Sequence, residues 1–136
     1  MTPKQMAKIH ALSFKEPRPW SEKEFADLLA SPHTHILTSD NGFAFVQIAG
    51  PEAELLTIAV HPCARRNGEG SNLLKNVLGT AEAAQCEEIF LEVVETNEPA
   101  ISLYHAYGFE NRATRKDYYN GPNGVKSHAV VMHKKL

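Results

Sequence analysis

The sequence predicts an α/β layered domain on a mixed sheet, and three observations carry that reading. The elements run α-α-β-β-β-α-β-α-β-β, separated by short turn signals. Segment 54–60 contains Leu55, Leu56, Ile58 and Val60, too continuously apolar for a strand exposed on one face, which makes it central. Segment 71–84 carries Leu73, Leu74, Val77, Leu78 and Ala81 at the 3.6-residue period of an amphipathic helix.

Each element has a local cause. Thr2 caps a first helix with Pro3 in its first turn and Met6, Ile9 and Leu12 along one face. Ser21 and Glu24 form a capping box for the second helix, and Trp20 and Phe25 stand at hydrophobic-staple positions. That helix stops near Ala30, because Ser31-Pro32 cannot continue it. A short strand at 35–38 turns through Ser39-Asp40-Asn41-Gly42 into a second at 43–49, broken by Gly50-Pro51. After the third strand, at 54–60, comes a glycine-containing turn and the helix at 71–84. Segment 89–94 is again an apolar strand, interrupted by one acid, Glu92. Asn97-Glu98-Pro99 starts a fourth helix, which Gly108 ends from the C′ position. The tail reads as a hairpin with arms 109–119 and 125–133 and a turn at 120–124.

Composition bounds the function. At 136 residues the chain suits one core and is short for two, so residues 1–136 read as a single domain. An apolar fraction of 43% with 22% charged residues argues against wholesale disorder. A net charge of −2, with no basic run interleaved with aromatics, argues against a nucleic-acid partner. Cys63 and Cys86 lack metal-ligand spacing and form no disulfide framework, which suits a reducing compartment. No apolar leader follows Met1, and no run approaches the roughly 20 residues that span a membrane. The expectation is a soluble cytoplasmic protein without a membrane partner.

Chemistry first shows in the turn Arg65-Arg66-Asn67-Gly68-Glu69-Gly70-Ser71. A strand-to-helix turn exposes unpaired N–H groups at the positive end of the helix dipole. Its glycines admit a bulky anion, and two arginines add charge-assisted hydrogen bonds, so the turn suits a pyrophosphate. On spacing alone an ordinary βα loop shaped by its glycines explains it equally well. It is neither a Walker loop, lacking Gly-Lys-Ser/Thr, nor a Rossmann turn, whose spacing differs.

Ile58-Ala59-Val60-His61-Pro62 followed by Arg65-x-x-Gly68-x-Gly70 resembles motif A of the GNAT acetyltransferase superfamily. Leu103-Tyr104-x-x-x-Gly108-Phe109 resembles its motif B, in the family's order and separation. Pro19-Trp20-Ser21-Glu22, Leu91-Glu92-Val93, Asn97 and Arg115-Lys116-Asp117-Tyr118-Tyr119 narrow the resemblance to the RimI type, which acetylates the N-terminal amine of a ribosomal protein. The likeness covers nearly the whole chain. It implies a GNAT fold, acetyl-CoA as co-substrate without a metal, and an acceptor that is a protein or peptide N-terminus. Two departures stand out. Family members usually carry a strand before the first helix, which this chain lacks, and an aliphatic residue between the glycines, where this chain has Glu69. An acid beside a pyrophosphate is unhelpful unless its side chain points to solvent.

The resemblance also assigns roles. Ile58, Ala59, Val60 and the turn from Arg65 to Ser71 become the acetyl-CoA site, with a backbone N–H near Val60 as oxyanion donor. Glu92 takes the place of the family's proton acceptor; by itself it reads as a strand acid facing solvent or pairing with an arginine. Tyr104 takes the place of the acid that protonates the leaving thiolate; by itself it reads as a core aromatic. Asn97 resembles an asparagine that touches CoA, and is equally a helix N-cap. Tyr118 and Tyr119 resemble groove-shaping tyrosines of N-terminal acetyltransferases, and as paired aromatics they equally stabilise a hairpin. A free α-amine with a pKa near ~8 needs only a modest base, whereas a lysine amine near ~10.4 needs more. Cys63 lacks a base, so a covalent acyl-cysteine route explains less than Glu92 with Tyr104. A GNAT enzyme acting on a small-molecule amine and a non-catalytic acyl-CoA-binding module are the competing readings.

Overall fold

A computed structural model describes residues 1–14, 18–120 and 124–136. The elements follow the expected order: α1 (Pro3–Ser13), α2 (Glu22–Ala30), β1 (Thr34–Thr38), β2 (Gly42–Ala49), β3 (Glu52–Val60), α3 (Glu69–Ala83), β4 (Glu88–Val94), α4 (Glu98–Ala106), β5 (Glu110–Asn120) and β6 (Lys126–Lys135). A 3-10 turn, Pro62–Ala64, leads from β3 toward α3. No strand precedes α1 among the described residues. Of the tail turn expected at 120–124, residues 121–123 lie outside the described residues.

The capping signals act as read. Thr2 accepts from the Gln5 N–H while the Gln5 side chain accepts from the Thr2 N–H, and Ser21 and Glu24 repeat the exchange at α2. Trp20 and Phe25 meet with ring centroids 5.6 Å apart, completing the staple. At the far end of α4, Gly108 adopts φ +91° in the C′ position. One expectation fails. The buried stripe of α1 is Met6, Ile9 and His10, while Leu12 is 51% exposed. A histidine takes the i+4 position on that stripe because the sheet offers it a hydrogen bond, as described below.

The six strands lie in the order β1-β2-β3-β4-β6-β5, with β3 and β4 parallel and the other neighbours antiparallel. α3 is the crossover that a parallel β3–β4 pair requires. Leu74, Val77 and Ala81 of α3 pack on Ala44, Val46, Leu55, Ile89 and Leu91, forming the larger core on one face of the sheet. On the other face α1 and α2 cover β1, β2 and β3, where Met6, Ile9 and Phe25 meet Phe43, Phe45 and Ala59. β3 is third of six strands and buried at alternate positions, with half-buried residues between. The continuous apolar run in its sequence therefore serves a sheet covered on both faces.

The ladder between β3 and β4 is short. It pairs only Glu52 with Glu88, Ala53 with Ile89 and Glu54 with Phe90. Beyond Glu54 the two strands part. β4 stays paired to β6 over its full length, from Glu88 to Val94. On its other edge β3 carries an irregularity, where Phe45 pairs with Thr57 but Val46 pairs with Leu55, leaving Leu56 as the extra residue. A bulge of this kind bends the strand and increases its twist, swinging the C-terminal half of β3 away from β4.

His10 is the polar residue of the smaller core, and only 2% of it is exposed. Its Nδ1 accepts from the Trp20 N–H at 3.1 Å, so Nε2 carries the proton and donates to Thr57 Oγ1 at 3.1 Å. One neutral ring thereby ties α1, the approach to α2 and β3 together, stacked on Trp20 at 5.1 Å. Burial lowers the imidazole pKa from 6.5 to about 4, with Glu24 opposing weakly. The unfolded chain takes up this proton first, so stability held above pH 6.5 is lost as pH falls toward 4. Between pH 7 and 4.5 urea denaturation should show the native protein losing roughly 2 kcal/mol more than His10→Gln. Parallel pH curves for the two proteins would show that the ring is not held neutral.

Candidate active site

The parting of β3 and β4 opens a cleft of about 870 Å³. Ile58, Ala59 and Val60 form one wall, and Leu91, Glu92 and Val93 form the other. Arg65, Arg66, Gly68, Glu69, Gly70 and Ser71 line one end, while Asn97, Leu103 and Tyr104 of the α4 region also contribute. Of the residues assigned from sequence to the cofactor or to catalysis, Asn67 alone is not among those lining the cleft; it is exposed on the outside of the turn.

The turn has the makings of an anion cradle. Arg66 and Gly68 both take left-handed φ, +67° and +77°. For a non-glycine residue such a conformation costs of order 1–3 kcal/mol, so Arg66 is strained in the loop where an anion is expected. Gly68 is the N-cap of α3 and supplies no side-chain hydrogen bond, leaving the first N–H groups of a 15-residue helix without a side-chain cap. Gly70 faces inward, with Val60 Cγ2 3.9 Å and Leu103 Cδ2 4.0 Å from where a Cβ would stand. These features fit a pyrophosphate group.

Glu69 resolves differently from expectation. Its carboxylate is held by the turn between β1 and β2 rather than left free in solvent. It accepts from the Asn41 N–H at 3.1 Å and from Asn41 Nδ2 at 3.4 Å, in the turn between β1 and β2. That turn lies close because Gly42 has no side chain: a Cβ there would stand 2.7 Å from the Ala59 carbonyl oxygen. The acid is therefore a tie between helix and hairpin.

The His61 N–H donates to the Asn41 carbonyl, toward β2. N–H directions alternate along a strand, so the N–H groups of Val60 and Ile58 point to the opposite edge, into the cleft. The Val60 carbonyl on that edge receives Ser13 Oγ and Arg65 Nε, each at 3.4 Å, in place of a ladder partner. The backbone N–H of Val60 is thus aimed where an acyl oxygen could sit.

Glu92 faces the cleft, and it also pairs with an arginine as a strand acid can. Arg115 Nη1 of β5 lies 3.2 Å from its carboxylate, and about 20% of the side chain is exposed. Tyr104 is a core aromatic as well as a cleft residue. Its ring packs edge-on to Phe109 at 5.7 Å, and burial raises its hydroxyl pKa well above the ordinary tyrosine value. Asn97 caps α4 by accepting from the Ala100 N–H at 3.3 Å and lines the cleft too. Tyr118 and Tyr119 lie at the cleft, edge-to-face at 5.1 Å, with the Arg115 guanidinium 5.2 Å over the Tyr118 ring. Burial and the Glu92 charge push the Tyr119 hydroxyl up to about 12.

Sequence reasoning missed Glu54, His10, Ser13 and Trp20, all lining the same cleft. Glu54 was findable, because it too is an acid beside an apolar strand run, the signal that singled out Glu92. Nothing local marks His10 and Ser13, which reach the cleft through the placement of α1, and Trp20 is marked in sequence as the staple of α2 rather than as a cleft residue. Among the described residues no group of three His, Cys, Asp or Glu side chains could hold a metal ion.

A helix start without a side-chain cap beside a splayed parallel strand pair, with an acid and a tyrosine in the opening, is the arrangement expected of an acyl-CoA-dependent transferase. Residues 5–109 match the acetyltransferase (GNAT) family, and the chain belongs to it. It is an acetyl-CoA-dependent N-acetyltransferase. Over 118 residues it is 35% identical to the [ribosomal protein bS18]-alanine N-acetyltransferase of Escherichia coli K12, covering 84% of this chain and 79% of that one. It is 33% identical to the N-alpha-acetyltransferase RimI of Mycobacterium tuberculosis over 83% of this chain and 75% of that protein. The crystal structure of the E. coli ribosomal-protein-S18-alanine N-acetyltransferase superposes with a TM-score of 0.87 at 30% identity, covering 98% of this chain and 87% of that chain.

The tie at Glu69 makes a direct prediction. Glu69→Leu should cost ~1 kcal/mol of stability in thermal or urea denaturation. Calorimetric affinity for acetyl-CoA should change less than about threefold, below a 1 kcal/mol effect. A large affinity gain with unchanged stability would mean that the carboxylate faces the bound anion.

Proposed function

We propose that the acceptor is the N-terminal α-amine of a protein, a ribosomal protein in the first instance, and that residues 1–136 act as one catalytic domain in the cytoplasm. The observation that carries this reading is the far side of the cleft. α1 and α2 cover the β1–β3 half of their sheet face, and the cleft continues from the turn at Gly68 to Tyr118 and Tyr119 of β5. A chain end can enter there with its backbone between Trp20 and the tail tyrosines. The relatives named for alanine N-acetylation of ribosomal protein bS18 support the same acceptor. Among the described residues no helix is long and apolar enough to cross a membrane, in keeping with an acceptor met in the cytoplasm.

Acetyl-CoA supplies an activated acetyl group and a thiolate leaving group. Arg65, Arg66 and the first N–H groups of α3 hold its pyrophosphate, with Asn97 contributing from the start of α4. Ile58, Ala59 and Val60 lend their free strand edge to the extended arm of the cofactor. Glu92 removes the proton from the incoming ammonium, an easy task for an α-amine with a pKa near ~8. The Val60 N–H stabilises negative charge growing on the acyl oxygen. Tyr104, kept protonated by its burial, donates its hydroxyl proton to the departing sulfur.

Purified protein should acetylate a synthetic peptide beginning with alanine and leave an N-terminally blocked peptide with a free lysine untouched. Glu92→Gln and Tyr104→Phe should each lower kcat about 10²–10⁴-fold, the range for a lost general base or acid. Native rates in both variants would remove these two residues from the chemistry. In a strain lacking the gene, mass spectrometry of ribosomal-protein N-termini should show at least one losing its acetyl group. An unchanged set would point to a different acceptor.

A further inference from the structure

We propose that Glu54 is a second carboxylate of the acceptor site, the one that receives the acceptor's ammonium and gives the enzyme its preference for a cationic N-terminus. The assignment rests on the peptide reading above and adds a substrate-binding residue to it.

Glu54 is the last residue of β3 paired to β4, opposite Phe90, and the strands part immediately after it. Partners in a parallel ladder point to the same face, as do residues two apart in a strand. Glu54 and Glu92 therefore share one face of the sheet. It is the face away from α3, since Leu55 and Leu91 beside them pack in the α3 core. Both acids line the cleft.

Their partners differ. Glu92 is engaged by Arg115. Glu54 is half-buried, yet among the described residues its carboxylate has no hydrogen bond and no ion pair. A partly buried carboxylate without a partner is costly and calls for a cation. Two acids against one guanidinium leave a single net negative charge at the end of the cleft. One ammonium cancels it.

Of the groups around Glu54, Glu92 on β4 repels it, Arg115 on β5 attracts it, and Gln47, its partner on β2, is uncharged. Tyr119 on β5 and His10 on α1 line the same cleft, the first keeping its proton and the second neutral. Burial, then the charge of Glu92, raises the Glu54 pKa, with Arg115 opposing in part. An ammonium seated between the two acids relieves both penalties. Protonating Glu54 removes its charge, so acceptor binding should weaken as pH falls.

Steady-state kinetics with the alanine-starting peptide, from acid to neutral pH, test the assignment. Glu54→Gln should raise the peptide KM roughly tenfold at neutral pH, the loss of one hydrogen-bonded charge contact, while kcat holds within about threefold. Acetyl-CoA should bind this variant as it binds the native protein, which also shows that it is folded. The native KM should climb on acidification, the climb should be absent in Glu54→Gln, and Glu54→Asp should restore it. A Glu54→Gln enzyme with native KM and native pH dependence would overturn this assignment alone. A native protein that binds acetyl-CoA but acetylates no peptide would overturn the peptide reading and this assignment with it.

Discussion

The parting of β3 and β4 after three paired residues is the constraint on which the site depends. A fully zipped parallel pair would leave no cleft, no free strand edge and no room for the tyrosine of α4. The parting has two causes in the backbone. The extra residue at Leu56 twists the end of β3 toward β2, and β6 holds β4 along all seven of its residues. Unpaired backbone at the heart of a sheet is costly, and the protein compensates locally. Ser13 and Arg65 reach the Val60 carbonyl, and the neighbouring N–H groups are left facing the opening. Those N–H groups are what an extended, amide-bearing cofactor can use.

Around that opening the supports come from elements distant in sequence. α1 holds its wall through the neutral His10 ring, which joins Thr57, next to the bulge, to the Trp20 backbone. The β1–β2 turn holds the start of α3 through Glu69 and Asn41. Gly42 allows that approach, since any side chain would collide with the Ala59 carbonyl. The strained turn at Arg66 and Gly68 is thus braced from the hairpin side before any ligand arrives, and a preformed cradle binds an anion with less ordering cost.

Most of the fold was legible because its signals are local. The cap at Thr2, the capping box at Ser21, the helical period from Leu73 to Ala81 and the C′ glycine at Gly108 each act within one or two turns of chain. The glycine turn was legible as a motif, but its setting was not. Which way Glu69 points depends on a turn 28 residues earlier, and the bulge at Leu56 is a property of pairing that leaves no mark in the strand's own sequence. Leu12 was misjudged for the same reason. The apolar period of α1 ends on His10, whose burial makes sense only beside Thr57, 47 residues further along.

The charges at the mouth show what the ion pair of Glu92 does. An acid proposed as the proton acceptor is also the partner of an arginine, and the two roles are not exclusive. The ion pair with Arg115 is more than half exposed on the arginine side and so worth little as a strut. Its effect is electrostatic: it offsets one of two acids that would otherwise repel each other across the cleft. Remove Arg115, and both carboxylates would face the acceptor with a charge of −2, and nothing would oppose the pull of Glu92 on the Glu54 proton. Keep it, and the mouth carries the single negative charge that one ammonium matches. By stacking over Tyr118, the same guanidinium also holds the aromatic side of the mouth in place. Arg115 thus couples the shape of the acceptor opening to its charge.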